Sequence, residues 1–202
     1  MKKKIILDLC GGTGSWSRPY KEAGYSVILI TLPQYDIRLT EITDDFITFR
    51  SPHFSGNSCV VRKKSIKGIL AAPPCTMFSL ARTNAKKERD LHEGMECVKA
   101  CLDIIYSCHE IKQSKNSKVT NLDWWALENP YHGLLKRIIG NPSFVFDPYE
   151  FGDMYKKKTA LWGYFKEPKK KQFSELPKMV KFDKLSTKEI HPEYYGKYDR
   201  TV

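Results

Sequence analysis

The sequence predicts an α/β protein with a doubly wound, mostly parallel sheet, and three apolar runs with their turns support the prediction. The first run, Ile5–Leu9, is followed by a glycine-rich turn, a helical stretch from Trp16 to Ala23 and a second strand over Tyr25–Leu32. Strand, glycine turn, helix and strand in this order open a doubly wound domain. Two later buried runs, each followed by proline, extend the pattern to further core strands.

The later elements follow from the spacing of apolar residues. Ile66–Ala72 is predicted to be a core strand, and apolar side chains at helical intervals predict a helix from Leu91 to about Lys112. Residues 40–67 predict a short helix or loop and then a hairpin, and Arg82–Asp90 predicts a polar loop. Four more predicted elements follow in chain order: a buried strand over Trp124–Leu127, a short helix over Tyr131–Gly140, and strands over Phe144–Tyr149 and Thr159–Phe165.

Length and composition indicate one globular domain. The chain has 202 residues, of which 41% are hydrophobic and 12% aromatic, and this composition excludes a disordered chain. We expect residues 1–165 to form the domain and the basic tail 166–202 to complete it, with no separate recognition domain. The formal net charge of +11, from 34 Lys+Arg against 23 Asp+Glu, favours a polyanionic partner, most simply nucleic acid. A lysine-rich surface without such a partner accounts for the charge equally well.

The cysteines and the N-terminus predict a compartment. The six cysteines include no Cys-x-x-Cys pair, and Cys97, Cys101 and Cys108 recur at helical intervals as small buried side chains. No metal site is predicted. The N-terminal apolar run is too short for a signal peptide or a membrane span, so we expect free thiols, a cytoplasmic protein and no membrane partner.

The turn after the first strand has the character of a ligand site. It reads Asp8-Leu9-Cys10-Gly11-Gly12-Thr13-Gly14-Ser15-Trp16, and its glycines let the backbone approach a ligand and the next helix closely. The dinucleotide pattern Gly-x-Gly-x-x-Gly is absent. The turn therefore suits a nucleoside ligand without a phosphate tail, and a turn that only packs is the alternative.

Cys75 follows two prolines at the end of a predicted strand. The prolines fix the backbone and remove two donors, so the thiol is held at a set point, as a nucleophile requires. Thr76 and Ser79 are expected to cap a helix beginning just after Cys75, which would place the thiol near the positive end of that helix. The alternative is a packed thiol at a strand end.

Glu128 follows the buried run Trp124–Leu127 and is the third candidate. Open α/β sheets bind ligands at the carboxyl edge of their strands, which is where this carboxyl is expected. A dry pocket would raise the pKa of Glu128 and let it share a proton with a ring nitrogen. A capping or salt-bridged surface acid is the alternative.

Together these motifs resemble the DNA cytosine methyltransferases that act on carbon 5, in the small, phage-encoded style. Asp8–Trp16 resembles the cofactor loop of that family, Pro73-Pro74-Cys75 its catalytic loop, and Glu128-Asn129-Pro130 its Glu-Asn-Val/Pro element. Phe151–Trp162 resembles a Phe-Gly-Asp-x-Tyr-x-Lys-x-Thr-x-x-Trp stretch of small phage members. The resemblance covers most of residues 5–165 in family order and implies a Rossmann-like methyltransferase fold.

The resemblance also implies the reaction and the site residues. A Cys75 thiolate would add to carbon 6 of cytosine, and Glu128 would hydrogen-bond the nitrogen edge of the ring while carbon 5 accepts the methyl group. The implied cofactor is S-adenosylmethionine, bound by Asp8, Cys10, Gly11, Gly12, Gly14, Trp16, Asp36, Ile37 and Pro73. The implied substrate is cytosine in DNA, contacted by Pro74, Ser79, Arg82, Asn129, Lys156 and Lys158. Lys156 and Lys158 stand where the family has arginines, and a solvated lysine run is the alternative for them.

The chain departs from the family at three places. No acid for the cofactor ribose follows the second strand at Ile30–Pro33, and Pro192–Tyr198 lacks the asparagine of the family's closing helix. About forty residues follow Trp162, too few for the usual recognition region. Sequence preference would then be short, or a partner or oligomer would supply it. The same chemistry on RNA or a free cytosine nucleotide, and a non-catalytic DNA-binding relative that serves in evasion of restriction, stay open as alternatives. In each case we expect the cytosol of a bacterium or of a phage-infected host.

Overall fold

The computed structural model describes residues 4–53, 56–80, 88–109, 122–175 and 178. In chain order its strands are β1 (Ile5–Leu9), β2 (Ser26–Ile30), β3 (Asp36–Ile42), β4 (Phe46–Arg50), β5 (Ser58–Arg62), β6 (Ile66–Ala71), β7 (Trp124–Pro130), β8 (Phe144–Phe146) and β9 (Thr159–Tyr164). Its helices are α1 (Arg18–Glu22), α2 (Leu91–His109) and α3 (Leu135–Ile139), with short 3-10 turns at Lys63–Ser65 and Pro148–Phe151.

The main sheet has six strands in the order β2-β1-β6-β7-β9-β8. The pairs β1–β2, β1–β6 and β6–β7 are parallel, whereas β9 runs antiparallel to both β7 and β8. The chain is therefore a mixed α/β protein with a mostly parallel sheet, as predicted. Among the described residues only α2 is longer than about one and a half helical turns, because α1 and α3 have five residues each.

A second sheet fills the connection between β2 and β6. Strands β3, β4 and β5 form an antiparallel sheet, of which β3 packs against α2, and Ile47, Phe49 and Val61 belong to the same buried core as the inner face of α2. The helix predicted as one option for residues 40–67 is wrong, and the hairpin predicted there is the β4–β5 pair. In β4 the buried Ile47 and Phe49 alternate with more exposed residues, the pattern of a half-buried strand.

Several predicted boundaries shift by a few residues. The helix predicted over Trp16–Ala23 is observed only at Arg18–Glu22, since Ser17 is its N-cap and Pro19 stands in its first turn. The strand predicted over Phe144–Tyr149 ends at Phe146, because Pro148 begins a 3-10 turn. Residues 110–112, at the end of the predicted long helix, lie outside the described residues, as does the tail segment 192–198.

The register of the parallel strands aligns the ends that carry the motifs. Leu9 in β1 lies opposite Ile30 and Ala71, and Ala71 in β6 lies opposite Leu127 in β7. The segments that follow these residues therefore leave the same edge of the sheet. None of the helices in the described part of the chain is long and apolar enough to cross a membrane.

Candidate active site at the carboxyl edge of the sheet

Three chain segments meet at this edge, one after each of β1, β6 and β7. The Ala72 amide, just beyond β6, donates a hydrogen bond of 2.9 Å to the Leu9 carbonyl at the end of β1. Leu127, at the level of Ala71, directly precedes Glu128. Adjacent strands are about 4.8 Å apart, so the glycine turn and Glu128 begin about 10 Å from each other with the Cys75 segment between them.

Asn129 joins the segment after β6 to β7. Its side chain is fully buried, and its amide nitrogen donates a hydrogen bond of 3.0 Å to the Pro73 carbonyl. A second link runs from the Leu134 amide to the Phe78 carbonyl at 2.9 Å. The sequence predicts that Asn129 contacts the substrate. In the structure its side chain also binds the Pro73 carbonyl of the protein itself. The Pro-Pro-Cys and Glu-Asn-Pro motifs are thus held as one unit.

Cys75 stands at the start of a tight turn. The Phe78 and Ser79 amides donate hydrogen bonds of 2.9 and 2.8 Å to the Cys75 carbonyl, and residues 76–78 form the turn. No helix begins at residues 76–78, so Thr76 caps none there, and residues 81–87, through which a helix capped by Ser79 would run, lie outside the described residues. The Cys75 side chain is half-buried and belongs to a free thiol.

Arg89, which the sequence does not mark, braces the same turn from the segment before α2. Its guanidinium donates hydrogen bonds to the carbonyls of Met77 and Ser79, the latter at 2.9 Å. An arginine can bind two carbonyls at once because its guanidinium presents several donors in one plane. The turn that carries Cys75 is therefore fixed on both of its sides, by Arg89 and by the segment after β7.

Cys75, Glu128 and Lys157 lie close enough to influence one another electrostatically. Burial raises the pKa of the Cys75 thiol, the charge of Lys157 opposes that rise, and the carboxyl of Glu128 adds to it. Burial likewise raises the pKa of Glu128, and Lys157 again opposes the rise. The pKa of Tyr155 is raised by burial and then by Asp153 and Glu128. The predicted nucleophile and carboxyl thus belong to one cluster.

The lysine of this cluster differs from the pair that the sequence selects. Lys156 and Lys158 are exposed, and their ammonium groups lie 5.7 Å from the ring centre of Tyr149 and 5.1 Å from that of Tyr131. Lys157 between them is half-buried, and its charge opposes the rise in the pKa of both Cys75 and Glu128. The signal that could have found it is the Phe-Gly-Asp-x-Tyr-x-Lys-x-Thr-x-x-Trp stretch, because the lysine of that pattern is Lys157.

The glycine turn after β1 forms an open cradle. Cys10, Gly12 and Gly14 have φ values of 56°, 56° and 71°, a region that favours glycine. A Cβ on Gly12 would meet nothing within 4 Å, so the backbone there borders open space. A Cβ on Gly11 would overlap the carboxylate of Asp8, which lies directly beneath the turn.

Asp8 is the buried acid of this cradle. Its side chain is fully buried, and neither carboxylate oxygen has a hydrogen-bond partner among the described residues. Burial raises the pKa of Asp8, and the nearby Ser17 hydroxyl, which donates to the Gly14 carbonyl at 3.2 Å, offsets only part of the rise. An orphaned buried carboxylate beneath an open turn fits a ligand that brings donors or positive charge.

Asp36 lies beside the cradle, on the other side of Cys97. The Cys97 thiol is close enough to Cys10, Arg38 and Asp36 for all three to influence its pKa, which burial raises to about 11. Asp36 accepts hydrogen bonds from Nε and Nη2 of Arg38 at 3.0 and 2.6 Å. These bonds lower the pKa of Asp36. A cleft of about 560 Å³ between β3 and α2 opens beside this ion pair.

The other predicted site residues differ in exposure. Trp16 and Ser79 are half-buried, Pro73 and Ile37 are buried, and Pro74 is exposed. Arg82 lies outside the described residues. Within the parts of the chain that the structure describes, no group of three or more His, Cys, Asp or Glu residues could hold a metal ion.

Comparison with known proteins adds no assignment. No model of a protein family matches the chain, and no curated protein sequence matches it either.

Proposed function

We propose that the protein is a methyltransferase that transfers a methyl group from S-adenosylmethionine to carbon 5 of cytosine in DNA through a covalent Cys75 adduct. The observation that carries the proposal is the meeting of a thiol, a half-buried carboxyl and an open glycine cradle at one sheet edge. The same arrangement supports a Rossmann-like methyltransferase fold, of which the mostly parallel sheet is the coarser part. The ordered motifs quoted above supply the reaction class.

Cys75 and Glu128 divide the chemistry between them. The Cys75 thiolate forms a bond to carbon 6, which makes carbon 5 electron-rich enough to attack a methyl donor. Burial raises the pKa of Glu128, so its carboxyl can hold a proton against the nitrogen edge of the ring. Loss of the proton from carbon 5 and departure of the Cys75 sulfur then restore the aromatic ring.

The cofactor would lie in the glycine cradle. When bound, S-adenosylmethionine supplies an electrophilic methyl group. The open backbone at Gly12 leaves room for a nucleoside, and the orphaned carboxylate of Asp8 suits its donors or its positive charge. Asp36 is paired with Arg38, so a ligand reaching it would meet an ion pair rather than a bare carboxylate.

A lysine–aromatic surface beside the site supports DNA as the partner. The ammonium groups of Lys136 and Lys158 lie 4.1 and 5.1 Å from the ring centre of Tyr131, the residue that directly follows β7. Ammonium groups bind phosphates, and an aromatic ring can stack on an unpaired base. A base buried in a duplex cannot reach Cys75, so the target must be flipped out at a cost of a few kcal/mol.

The direct test is covalent trapping on DNA that contains 5-fluorocytosine. With S-adenosylmethionine present, the fluorine blocks release at carbon 5, so the protein should form an adduct that survives denaturation. Cys75→Ala should abolish the adduct, because the sulfur that forms the bond is gone. Cys59→Ala is the matched control, since Cys59 is a half-buried free thiol in β5 of the second sheet.

The substrate panel decides between the proposal and its alternatives. RNA and dCMP carrying the same fluorinated base are tested beside the DNA. An adduct on RNA or dCMP alone would keep the chemistry and overturn DNA as the substrate. Absence of any adduct, with cofactor binding shown by calorimetry, would leave a non-catalytic relative.

A further inference from the structure

We infer that Arg89 is a positioning residue for the Cys75 sulfur: it binds two backbone carbonyls of the turn after Cys75, keeps that turn closed and thereby fixes the place of the sulfur. The inference deepens the proposed function, and its meaning for methyl transfer rests on that proposal, because a covalent reaction at Cys75 requires a fixed sulfur. The closure of the turn can be tested with neither cytosine nor cofactor.

The guanidinium of Arg89 binds the turn from outside it. Nη1 donates a hydrogen bond to the Met77 carbonyl, and Nη2 donates one of 2.9 Å to the Ser79 carbonyl. Met77 is buried, and a buried carbonyl that loses its donor is costly because water does not readily replace that donor. Arg89 therefore favours the closed turn over arrangements in which these two carbonyls move apart.

The start of α2 fixes the backbone of Arg89. Asp90 directly precedes the helix, and its carboxylate accepts a hydrogen bond of 3.0 Å from the Glu93 amide, as an N-cap residue does. The Gly94 amide donates to the Asp90 carbonyl at 3.2 Å. Arg89 thus reaches the turn from the capped end of a helix of 19 residues.

The helix also packs directly against the turn. A Cβ on Gly94 would lie 2.8 Å from Cβ of Met77 and 3.0 Å from Cζ of Phe78, closer than side chains normally approach. The Phe78 carbonyl accepts its hydrogen bond of 2.9 Å from the Leu134 amide. The carbonyls of three consecutive turn residues, 77 to 79, are therefore bound by groups outside the turn, two of them by Arg89.

This pair of carbonyls suits an arginine better than a lysine. A guanidinium presents several N–H donors in one plane, so two of its nitrogens can bind two carbonyls at once. A lysine ammonium has a single donor atom on a flexible chain. Because the two acceptors are neutral carbonyls, Arg89 acts through the shape of the turn and not through the ionisation of the thiol.

The test compares the six free thiols of the ligand-free protein. Wild type and variants are alkylated with iodoacetamide at several pH values, and mass spectrometry of each cysteine peptide gives its rate. Because the Cys75 side chain is half-buried, we expect Arg89→Met to raise its alkylation rate about tenfold, the factor for losing one to two hydrogen bonds that hold the turn closed. The factor should be the same at each pH, because access to the sulfur changes and its pKa does not.

Internal controls and a chemical rescue separate positioning from loss of the fold. Cys101 and Cys108 are buried in the core and report global opening, so their alkylation should not change. Guanidinium ion at a low, non-denaturing concentration should slow the alkylation of Cys75 in Arg89→Met again, since it can bind both carbonyls, whereas methylammonium should not. Arg62→Met, at an exposed arginine of β5, is the matched control and should keep the wild-type rates.

Under the proposed function, Arg89→Met changes two reactions of the Cys75 sulfur in opposite directions. Alkylation needs only access and becomes faster. Adduct formation on 5-fluorocytosine DNA needs a fixed sulfur and should become at least about tenfold slower, with unchanged affinity for S-adenosylmethionine. Arg89→Lys should show the same two changes to a smaller extent, because it keeps the charge but not the planar fork.

The outcomes separate this inference from the proposed function. Unchanged alkylation of Cys75 in Arg89→Met and Arg89→Lys, or an equal rise in Arg62→Met, would overturn the role of Arg89. Should Arg89→Met expose Cys101 and Cys108 as well, Arg89→Lys decides by the same comparison. Faster alkylation that guanidinium reverses, with no wild-type adduct on any fluorinated substrate, would support Arg89 and overturn methyl transfer. A wild-type adduct with unchanged alkylation in both variants would do the reverse.

Discussion

Two carboxyl groups, that of the buried Asp8 and that of the half-buried Glu128, have pKa values raised by burial. Such a group binds its proton more tightly in the folded than in the unfolded chain. It therefore contributes stability below its ordinary pKa of about 4, and that contribution is lost as the pH rises through the folded pKa. Above that ordinary pKa the burial of Asp8 therefore lowers the stability of the folded chain, and a ligand with donors or positive charge would reduce this cost.

Asp8→Asn tests this cost. We expect the free energy of unfolding of the variant, relative to wild type, to increase as the pH is raised from about 4 to about 8, because the neutral amide does not ionise. Urea unfolding at several pH values measures the difference. Asp45→Asn, at an exposed carboxyl between β3 and β4, should show no such trend. A flat difference for Asp8→Asn would show that the folded chain already neutralises this carboxylate.

The individual residues also show how far sequence reasoning reaches. The glycine turn, Cys75 and Glu128 stand out because each follows an apolar run at a recognisable motif. Lys157 is the lysine of the quoted Tyr-x-Lys-x-Thr pattern, but the predicted substrate contacts were its two neighbours, because three adjacent lysines are chemically alike in the sequence. Arg89 was not predicted, because its two hydrogen bonds to backbone carbonyls depend on the folded turn and correspond to no sequence motif.

Among the elements, β6 is an interior strand of the main sheet, between β1 and β7, and it leads directly to the Cys75 segment. Gly68 in β6 pairs with Trp124 in β7, and a Cβ on Gly68 would overlap the indole ring. The indole also stacks on the Tyr20 ring, with centres 5.0 Å apart. The absence of a side chain at Gly68 therefore lets an aromatic residue lie across the strand that leads to Cys75.

Gly68→Ala should lower the free energy of unfolding by about 1–3 kcal/mol, the usual cost of forcing an extra carbon into a packed site. Combining it with Trp124→Leu should cost less than the sum of the two single changes, because the smaller side chain removes the overlap. Urea unfolding of the four proteins gives the coupling energy. Strictly additive costs would show that the indole does not restrict Gly68.

Elements with regular apolar spacing were predicted well, and the second sheet was not. β1 and β6 are almost continuously buried apolar runs, β7 begins with an apolar run, and α2 has buried residues at helical spacing. In the second sheet several large apolar side chains are exposed, among them Leu39, Phe46 and Val60. With apolar residues on both faces, the period of two is obscured, and the strands cannot be separated from a loop by pattern alone.

The whole molecule carries a formal net charge of +11. Part of that charge lies near the candidate site, on the lysines of the lysine–aromatic surface. The ammonium groups of Lys136 and Lys158 both lie over the Tyr131 ring. Binding that neutralises phosphates weakens with salt in proportion to the number of contacts. The salt dependence of DNA affinity therefore reports whether these lysines meet the backbone.

Replacing both residues, as Lys136→Glu with Lys158→Glu, should weaken DNA binding and make its salt dependence shallower by about one unit of slope for each lost contact. Fluorescence anisotropy with a labelled duplex at several salt concentrations measures both effects. Lys21→Glu, at an exposed lysine of α1, is the control for overall charge. An equal loss with Lys21→Glu alone would mean that the attraction is diffuse rather than local.

The strand order β1-β6-β7 determines how far apart two molecules bound at this edge of the sheet would lie. The cradle follows one outer strand of the three and Glu128 lies at the end of the other, so the strand between them keeps their occupants a strand's width apart. Two molecules could then be held simultaneously, one at each of these strand ends, with the Cys75 segment between them. Neither molecule would have to dissociate before the other binds. The order of binding would then be set by association rates and not by steric exclusion.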